Sequence, residues 1–322
     1  MKLPVDWLLQ GPAWIRYRTR IDLLGEKDSS PTAVSDRKEM LRDGQIAGVI
    51  ASLEGWPGAP VKNHKQADLP YHKLSFLAEI GMRRGDPKLD GIIRKILKQM
   101  TADGIPRMPI LIPKAFGGSG RAEQAWVLCD APVLLHSLAK MGYGAEAPVR
   151  QGMRALAARA REYGWPCAAA PELGRFRGPG RKDDPCPLAN LLMLEVLTEE
   201  KTFAKSTAGR NGLEAALSLW AARKSRKPYL FGMGTDFAKL KAPFIWYDLL
   251  HELDVLSRFP AAWKDARFRQ MIRLLESKAD REGRFLPESV WMAWKGWEFN
   301  NKKEPSRWIT LLALRILKRV QN

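Results

Sequence analysis

Asp248 and His251 stand three residues apart in the run APFIWYDLLHELDVL, residues 242–256. Leu249, Leu250, Leu253 and Leu256 of the same run recur three and four apart, the period of one helical face. On such a helix the carboxylate and the imidazole stack one turn above the other, on the edge away from the leucines. That pairing suits general acid–base work, in which one group holds a proton while its neighbour accepts one. Asp130, Asp183 and Asp184 are further carboxylates just ahead of apolar helical runs. They have two readings: acids at the mouth of a cavity, or helix N-terminal residues that cap and complement the dipole.

The elements that position these groups repeat. A step of the form L-x-x-[LIM] falls inside helical runs at Ile21/Leu24, Leu77/Ile80, Leu138/Met141, Leu194/Leu197, Leu253/Leu256 and Leu314/Leu317, spaced 56 to 61 residues apart. A second marker keeps the same period. Gly55-Trp56-Pro57, Gly104-Ile105-Pro106, Gly164-Trp165-Pro166 and Gly283 to Pro287 break the chain, with a degenerate copy near Lys227-Pro228. Glycine ends a helix in the left-handed conformation and proline prevents its resumption. Between anchor and break lie second helices, expected over residues 35–52, 87–102, 147–162, 211–223 and 264–278. These carry charge on one face (Arg94, Lys95, Lys98; Arg154, Arg159, Arg161), whereas LANLLMLEVL and WITLLALRIL are apolar all round. Nothing alternates with period two over a useful length. The expectation is an all-α chain: a single domain, residues 1–322, folded as an α/α toroid of about six helical hairpins with inner and outer layers. Open solenoids use shorter units, roughly 34 to 47 residues, with short loops, so the long inter-repeat loops here favour closure.

Register against the anchors places Arg16, His72 and Asp248 five residues before them, and His136 and His251 two before, on a face that would line a central cavity. His136 reads equally as a satisfied core histidine. Trp14, Tyr17, Tyr71, Trp126, Trp246, Tyr247 and Trp308 gather at the starts of the inner helices. The glycine-rich run 116–121 offers backbone N–H groups to a phosphate ahead of a helix near Ala122, or is simply a loop. The runs 231–234 and 175–181 carry the same two readings.

A net charge of +18 favours anionic partners, whether nucleic acid, a phosphate-bearing ligand or an anionic surface. Three cysteines, with no CxxC pair, are too few for a disulfide framework. Cys129 and Cys167 read as small buried hydrophobes. Asp6, Gln10 and Arg16 interrupt any signal-peptide core, and no transmembrane run occurs, so a reduced cytoplasmic location is expected.

The glycine–aromatic breaks and the segment EGRFLPESVWMAWKGW, residues 282–297, resemble the terpenoid cyclase and protein prenyltransferase superfamily of α/α toroids. Gly283, Phe285, Leu286, Gly296 and Trp297 fit that family's aromatic repeat motif, while Pro287, Glu288 and Ser289 stand where its glutamine belongs. Arg181-Lys182-Asp183-Asp184 is similar to the proton-donating Asp-x-Asp-Asp run of squalene–hopene cyclases, with Arg181 in place of the first aspartate. Asp184-Pro185-Cys186 with His251, or Asp248 one turn earlier, resembles the zinc ligands of the prenyltransferases, which makes zinc a possible cofactor. The resemblance implies a protein that binds or transforms an apolar, isoprenoid-type ligand. Asp184, Asp183, Asp248, His251, His72 and Asp130 would be its acid–base groups. Arg16, Trp246 and Tyr247 would contact ligand or cofactor, with His72 and Arg16 orienting an anionic group. Two other classes remain open. One is a carbohydrate-active (α/α)6 enzyme pairing Asp130 with Asp184 or Asp248. The other is a non-enzymatic basic repeat protein that holds nucleic acid or an acidic partner.

Overall fold

The computed structural model describes residues 3–176, 178, 183–225 and 236–321. The chain is mostly helical and divides into two compact units: a terminal unit, Met1–Ala51 with Thr235–Asn322, and a central unit, Ser52–Gly234. No described helix is long and apolar enough to cross a membrane.

The terminal unit opens with α1 (Val5–Leu9) and α2 (Ala13–Arg18), which runs on as a π-helical turn, Thr19–Leu24, and stops at left-handed Gly25. Next come α3 (Pro31–Met40) and α4 (Gly44–Ser52). One helix was expected over 35–52. Instead α3 starts earlier, where the Ser30 hydroxyl accepts the Ala33 N–H (3.3 Å), and α4 starts afresh where Asp43 accepts the N–H groups of Gln45 and Ile46 (2.8 and 3.1 Å).

The central unit holds α5 (Pro70–Ile80), α6 (Leu89–Lys98), strands β1 (Met108–Leu111) and β2 (Ala122–Ala125), α7 (Ala131–Leu138, continued as the wider turn Ala139–Tyr143), α8 (Ala147–Ala157), α9 (Pro187–Leu197), α10 (Lys201–Ala204) and α11 (Thr207–Ala221). The terminal unit then resumes with α12 (Leu249–Leu256), α13 (Ala266–Glu276) and α14 (Arg307–Gln321).

All six anchor steps fall within helical structure. In the central unit the anchor helices α5, α7 and α9 pack in a row, with α8 against α7 and α9 and with α11 against α9. In the terminal unit α12 packs on α14, and α14 on α2 and its π-helical turn. Every residue of α9 is buried, as is Trp308–Leu317 of α14. By contrast α6 buries Leu89, Ile92, Ile93 and Ile96 and exposes Arg94, Lys95 and Lys98. Burying each such leucine or isoleucine contributes roughly 1.5–3 kcal/mol, which is why the apolar helices go inside.

The Gly164 break of the central unit and the Gly283 break of the terminal unit are built alike. The Trp165 N–H donates to Asn190 Oδ1 (3.0 Å), and the Trp165 carbonyl accepts from Asn190 Nδ2 and from the Cys186 N–H (2.8 Å each). At the same sequence separations, the Phe285 N–H donates to Thr310 Oγ1 and its carbonyl accepts the Ser306 N–H (2.9 Å each). Trp165 and Phe285 are thus fastened by their backbones to the next anchor helix, whereas the Trp56 N–H goes to the Leu53 carbonyl and Ile105 pairs with Thr101. Gly164 must be glycine: its φ is +93°, and an added Cβ would sit 2.2 Å from Asn190 Oδ1.

Buried charge ties the terminal unit together. Asp254 on α12 accepts from Arg315 Nη2 (2.7 Å) and Arg319 Nη1 (2.8 Å) of α14 and from Arg258 (2.5 Å), while Arg315 Nη1 reaches Asp22 on the π-helical turn (3.4 Å).

Strands β1 and β2 pair antiparallel, Met108 opposite Ala125 through Leu111 opposite Ala122. The expected helix near Ala122 is therefore a strand, and the glycine-rich run 116–121 is the tip of a hairpin rather than a helix-borne phosphate cradle. Gly117 and Gly120, at φ +85° and +77°, turn that tip.

Candidate acid–base site

Residues 242–247 were expected to begin a helix but do not. The helix starts at Leu249 because Asp248, in extended backbone, caps it: its carboxylate accepts the His251 N–H (3.0 Å). The cap stacks Asp248 on His251 and adds Glu252, four residues on and so on the same face. Asp248, His251 and Glu252 are all buried, at 3%, 1% and 3% exposure.

The imidazole is held on two sides. Its Nδ1 lies 3.1 Å from the Trp246 carbonyl, and its ring stacks on Phe244 with centroids 4.6 Å apart and 7° between planes. A carbonyl only accepts, so Nδ1 carries the proton and Nε2 is the basic nitrogen. Burial pushes Asp248 up to about 7, against the opposing pull of His251, its backbone N–H bonds and Lys241. Burial likewise pushes Glu252 up to about 8; His251 opposes this and Asp248 adds to it. Near neutral pH one carboxyl is protonated and its neighbour is poised to exchange a proton, with the His251 imidazole close enough to act on both.

Aromatic rings keep the surroundings apolar. Tyr247 stacks on Phe237 (4.9 Å) and lies against Trp246 (5.5 Å). Lys241 Nζ sits 3.2 Å over the ring of Trp291, whose Nε1 donates to the Pro243 carbonyl (3.3 Å). The structure thus gathers Asp248, His251, Trp246 and Tyr247, all expected from the sequence, and adds Glu252, which was not. The i, i+4 spacing from Asp248 was the available signal.

A second polar group lies in the central unit, at the start of α7. Asp130 is fully buried; its Oδ1 accepts the Val127 N–H (3.1 Å) and its Oδ2 lies 3.2 Å from His64 Nε2. The His64 carbonyl accepts from the Tyr71 hydroxyl (3.4 Å) and from His72 Nε2 (3.1 Å). Burial, with Asp130 and Cys129 nearby, pushes the Tyr71 hydroxyl well above its usual range. Asp130 and His72 are therefore linked through His64, a residue without a helical period to reveal it. The cap reading for Asp130 is not what its side chain does.

The other expected residues are dispersed. Arg16 spends its guanidinium on Asp36 (2.7 Å), Glu39 (2.5 Å) and the Gly11 carbonyl (3.0 Å), which leaves it structural rather than offered to a ligand anion. Asp183 is exposed and Asp184 buried in the central unit; Arg181 and Lys182 lie outside the described residues. Cys186 caps α9, its Sγ accepting the Ala189 N–H (3.5 Å), as the Ser306 hydroxyl accepts the Ile309 N–H (3.1 Å) before α14. Cys129 and Cys167 are half-buried, more exposed than the small buried hydrophobes expected. His136 is buried beside Glu195 (3.6 Å) and Glu199 (3.0 Å), but its Nε2 makes no hydrogen bond, so the expected satisfied core histidine is only partly met. The run 231–234, the degenerate break at 227–228 and residues 177 and 179–181 of the basic run lie outside the described residues.

Among the described residues no three His, Cys, Asp or Glu side chains gather as a metal ion requires. Of the residues expected for zinc, Asp184 and Cys186 belong to the central unit and His251 to the terminal one. No protein-family model matches the chain, and no curated protein matches it.

Proposed function

We propose that the chain is a terpenoid cyclase- or prenyltransferase-like α/α toroid, and that Asp248, His251 and Glu252 form its general acid–base centre for an apolar, isoprenoid-type ligand. One observation carries the reading. Two carboxyls held near neutrality by burial neighbour an imidazole stacked on Phe244, with Trp246 and Tyr247 just before them in the chain. A carboxyl kept protonated near neutral pH has a proton to give to a carbon–carbon double bond, and aromatic faces stabilise the cation that protonation leaves. The proton passes from a carboxyl oxygen to an alkene carbon; His251 Nε2 or the freed carboxylate takes one back from the neighbouring carbon. Packing of α14 against α2, at opposite ends of the sequence, supports the closed arrangement of anchor helices that a toroid needs.

The test uses farnesol and farnesyl diphosphate in deuterated water. Binding of farnesol, with solvent deuterium appearing on its carbon skeleton, is the expected result, and Glu252→Gln should lower incorporation roughly 100- to 10,000-fold while leaving binding intact. Conversion of the diphosphate alone would favour prenyl transfer. Binding of neither compound would sink the proposal.

A further inference from the structure

The three cysteines, scattered in sequence, meet in the central unit. The segment before α7 pairs antiparallel with the one after the Gly164 break: Val127 bridges Ala169, the Leu128 N–H donates to the Ala168 carbonyl (3.0 Å) and the Ala170 N–H to the Trp126 carbonyl (2.8 Å). Continued two residues, that register sets Cys129 across from Cys167. Two residues before Cys167, the Trp165 carbonyl receives the Cys186 N–H, and Asn190 clasps both Trp165 and the Cys186 carbonyl (2.8 Å). The result is a hydrogen bond between the thiols of Cys167 and Cys186, with Cys129 close enough to perturb both. No site already described uses this contact.

We propose that Cys167 and Cys186 are an oxidisable dithiol, converted to an intrachain disulfide by a low-molecular-weight disulfide oxidant. Of this pair Cys167 is half-buried and Cys186 buried, so Cys167 is the one an oxidant meets first. The Cys167 thiolate attacks one sulfur of the oxidant, forming a mixed disulfide and expelling one thiolate. The Cys186 thiolate then attacks Cys167 Sγ and expels the second. Two protein thiols and one oxidant disulfide become one protein disulfide and two small thiols, the protons lost by the cysteines ending on the leaving groups. The disulfide joins both ends of the segment that carries Asp183 and Asp184, tying it to the cap of α9.

The experiment treats the full chain with oxidised glutathione, blocks remaining thiols after denaturation, and maps peptides without reduction. A cross-linked peptide containing Cys167 and Cys186, with Cys129 alkylated, is expected, and Cys129→Ser should leave it unchanged. Cys186→Ser should convert it to a glutathione adduct on Cys167; serine is the cap at the corresponding position of α14, so this variant keeps the helix start. A Cys129–Cys167 cross-link, or three alkylatable thiols after exhaustive oxidant, would overturn the assignment, and both are read on the unsubstituted protein.

Discussion

Glu252 ties the site's chemistry to the stability of the protein. Its carboxyl is pushed up to about 8 by burial, far above the value of an unfolded chain, so the folded state holds the proton more tightly. A raised carboxyl contributes stability that is complete below the unfolded pKa and is lost as pH climbs through the folded one. Glu252→Gln keeps the shape and cannot ionise. It should therefore match the unsubstituted protein near pH 4 and exceed it by on the order of 1–3 kcal/mol near pH 9, as read by denaturant unfolding at both values. A stability difference that does not change between the two pH values would show that the site does not store a proton. Sequence reasoning found Asp248 and His251 because three-residue spacing marks a helical edge, and found Trp246 and Tyr247 because aromatics crowd the same turn. It could not find His64, whose link to Asp130 spans 66 residues and rests on no period. Nor could it tell that the guanidinium of Arg16, at a register position that promised a ligand, is consumed by Asp36 and Glu39.

At the scale of elements, the glycine–aromatic breaks are as informative as the leucine steps. Their spacing was legible, and for two of them the bonds made by Trp165 and Phe285 give the physical reason: these breaks present an N–H and a carbonyl to the next anchor helix at the same separation. Glycine is needed at 164 both for its positive φ and because the side chain of Asn190 fills the space of a Cβ. Gly164→Ala should lower stability by roughly 1–3 kcal/mol through strain and loss of the Asn190 bonds. Asn190→Ala in the Gly164→Ala background should add less than it does alone, since both act on the same bonds; a double-mutant cycle measures the difference. Full additivity would mean that the break is not fastened in this way. The hairpin of β1 and β2 was not legible, because Met108–Leu111 and Ala122–Ala125 are too short to establish alternation and the glycines between them read as a loop.

For the whole molecule, the two ends of the chain share one unit, and the contact that matters most there is charged. Asp254 is fully buried and takes hydrogen bonds from Arg258, Arg315 and Arg319, and Arg315 extends the network to Asp22. Such a network is costly to dehydrate, and breaking it by removing one partner leaves a carboxylate undercompensated, an effect of roughly 3–5 kcal/mol. The repeat period implied helices near residues 21, 253 and 314, and all three are helical; it said nothing of which of them touch, because adjacency is decided by partners hundreds of residues apart. Arg315→Leu separates packing from charge, since leucine suits an otherwise apolar helix. If the ion network holds the two ends together, amides of Thr19–Leu24 and Leu249–Leu256 should lose protection together in hydrogen exchange, while α5, α7 and α9 of the central unit keep theirs. Loss confined to α14 would assign the cohesion to apolar packing alone. Uniform loss across both units would mean that the chain unfolds as a single cooperative body, with the terminal network setting the stability of the central helices as well.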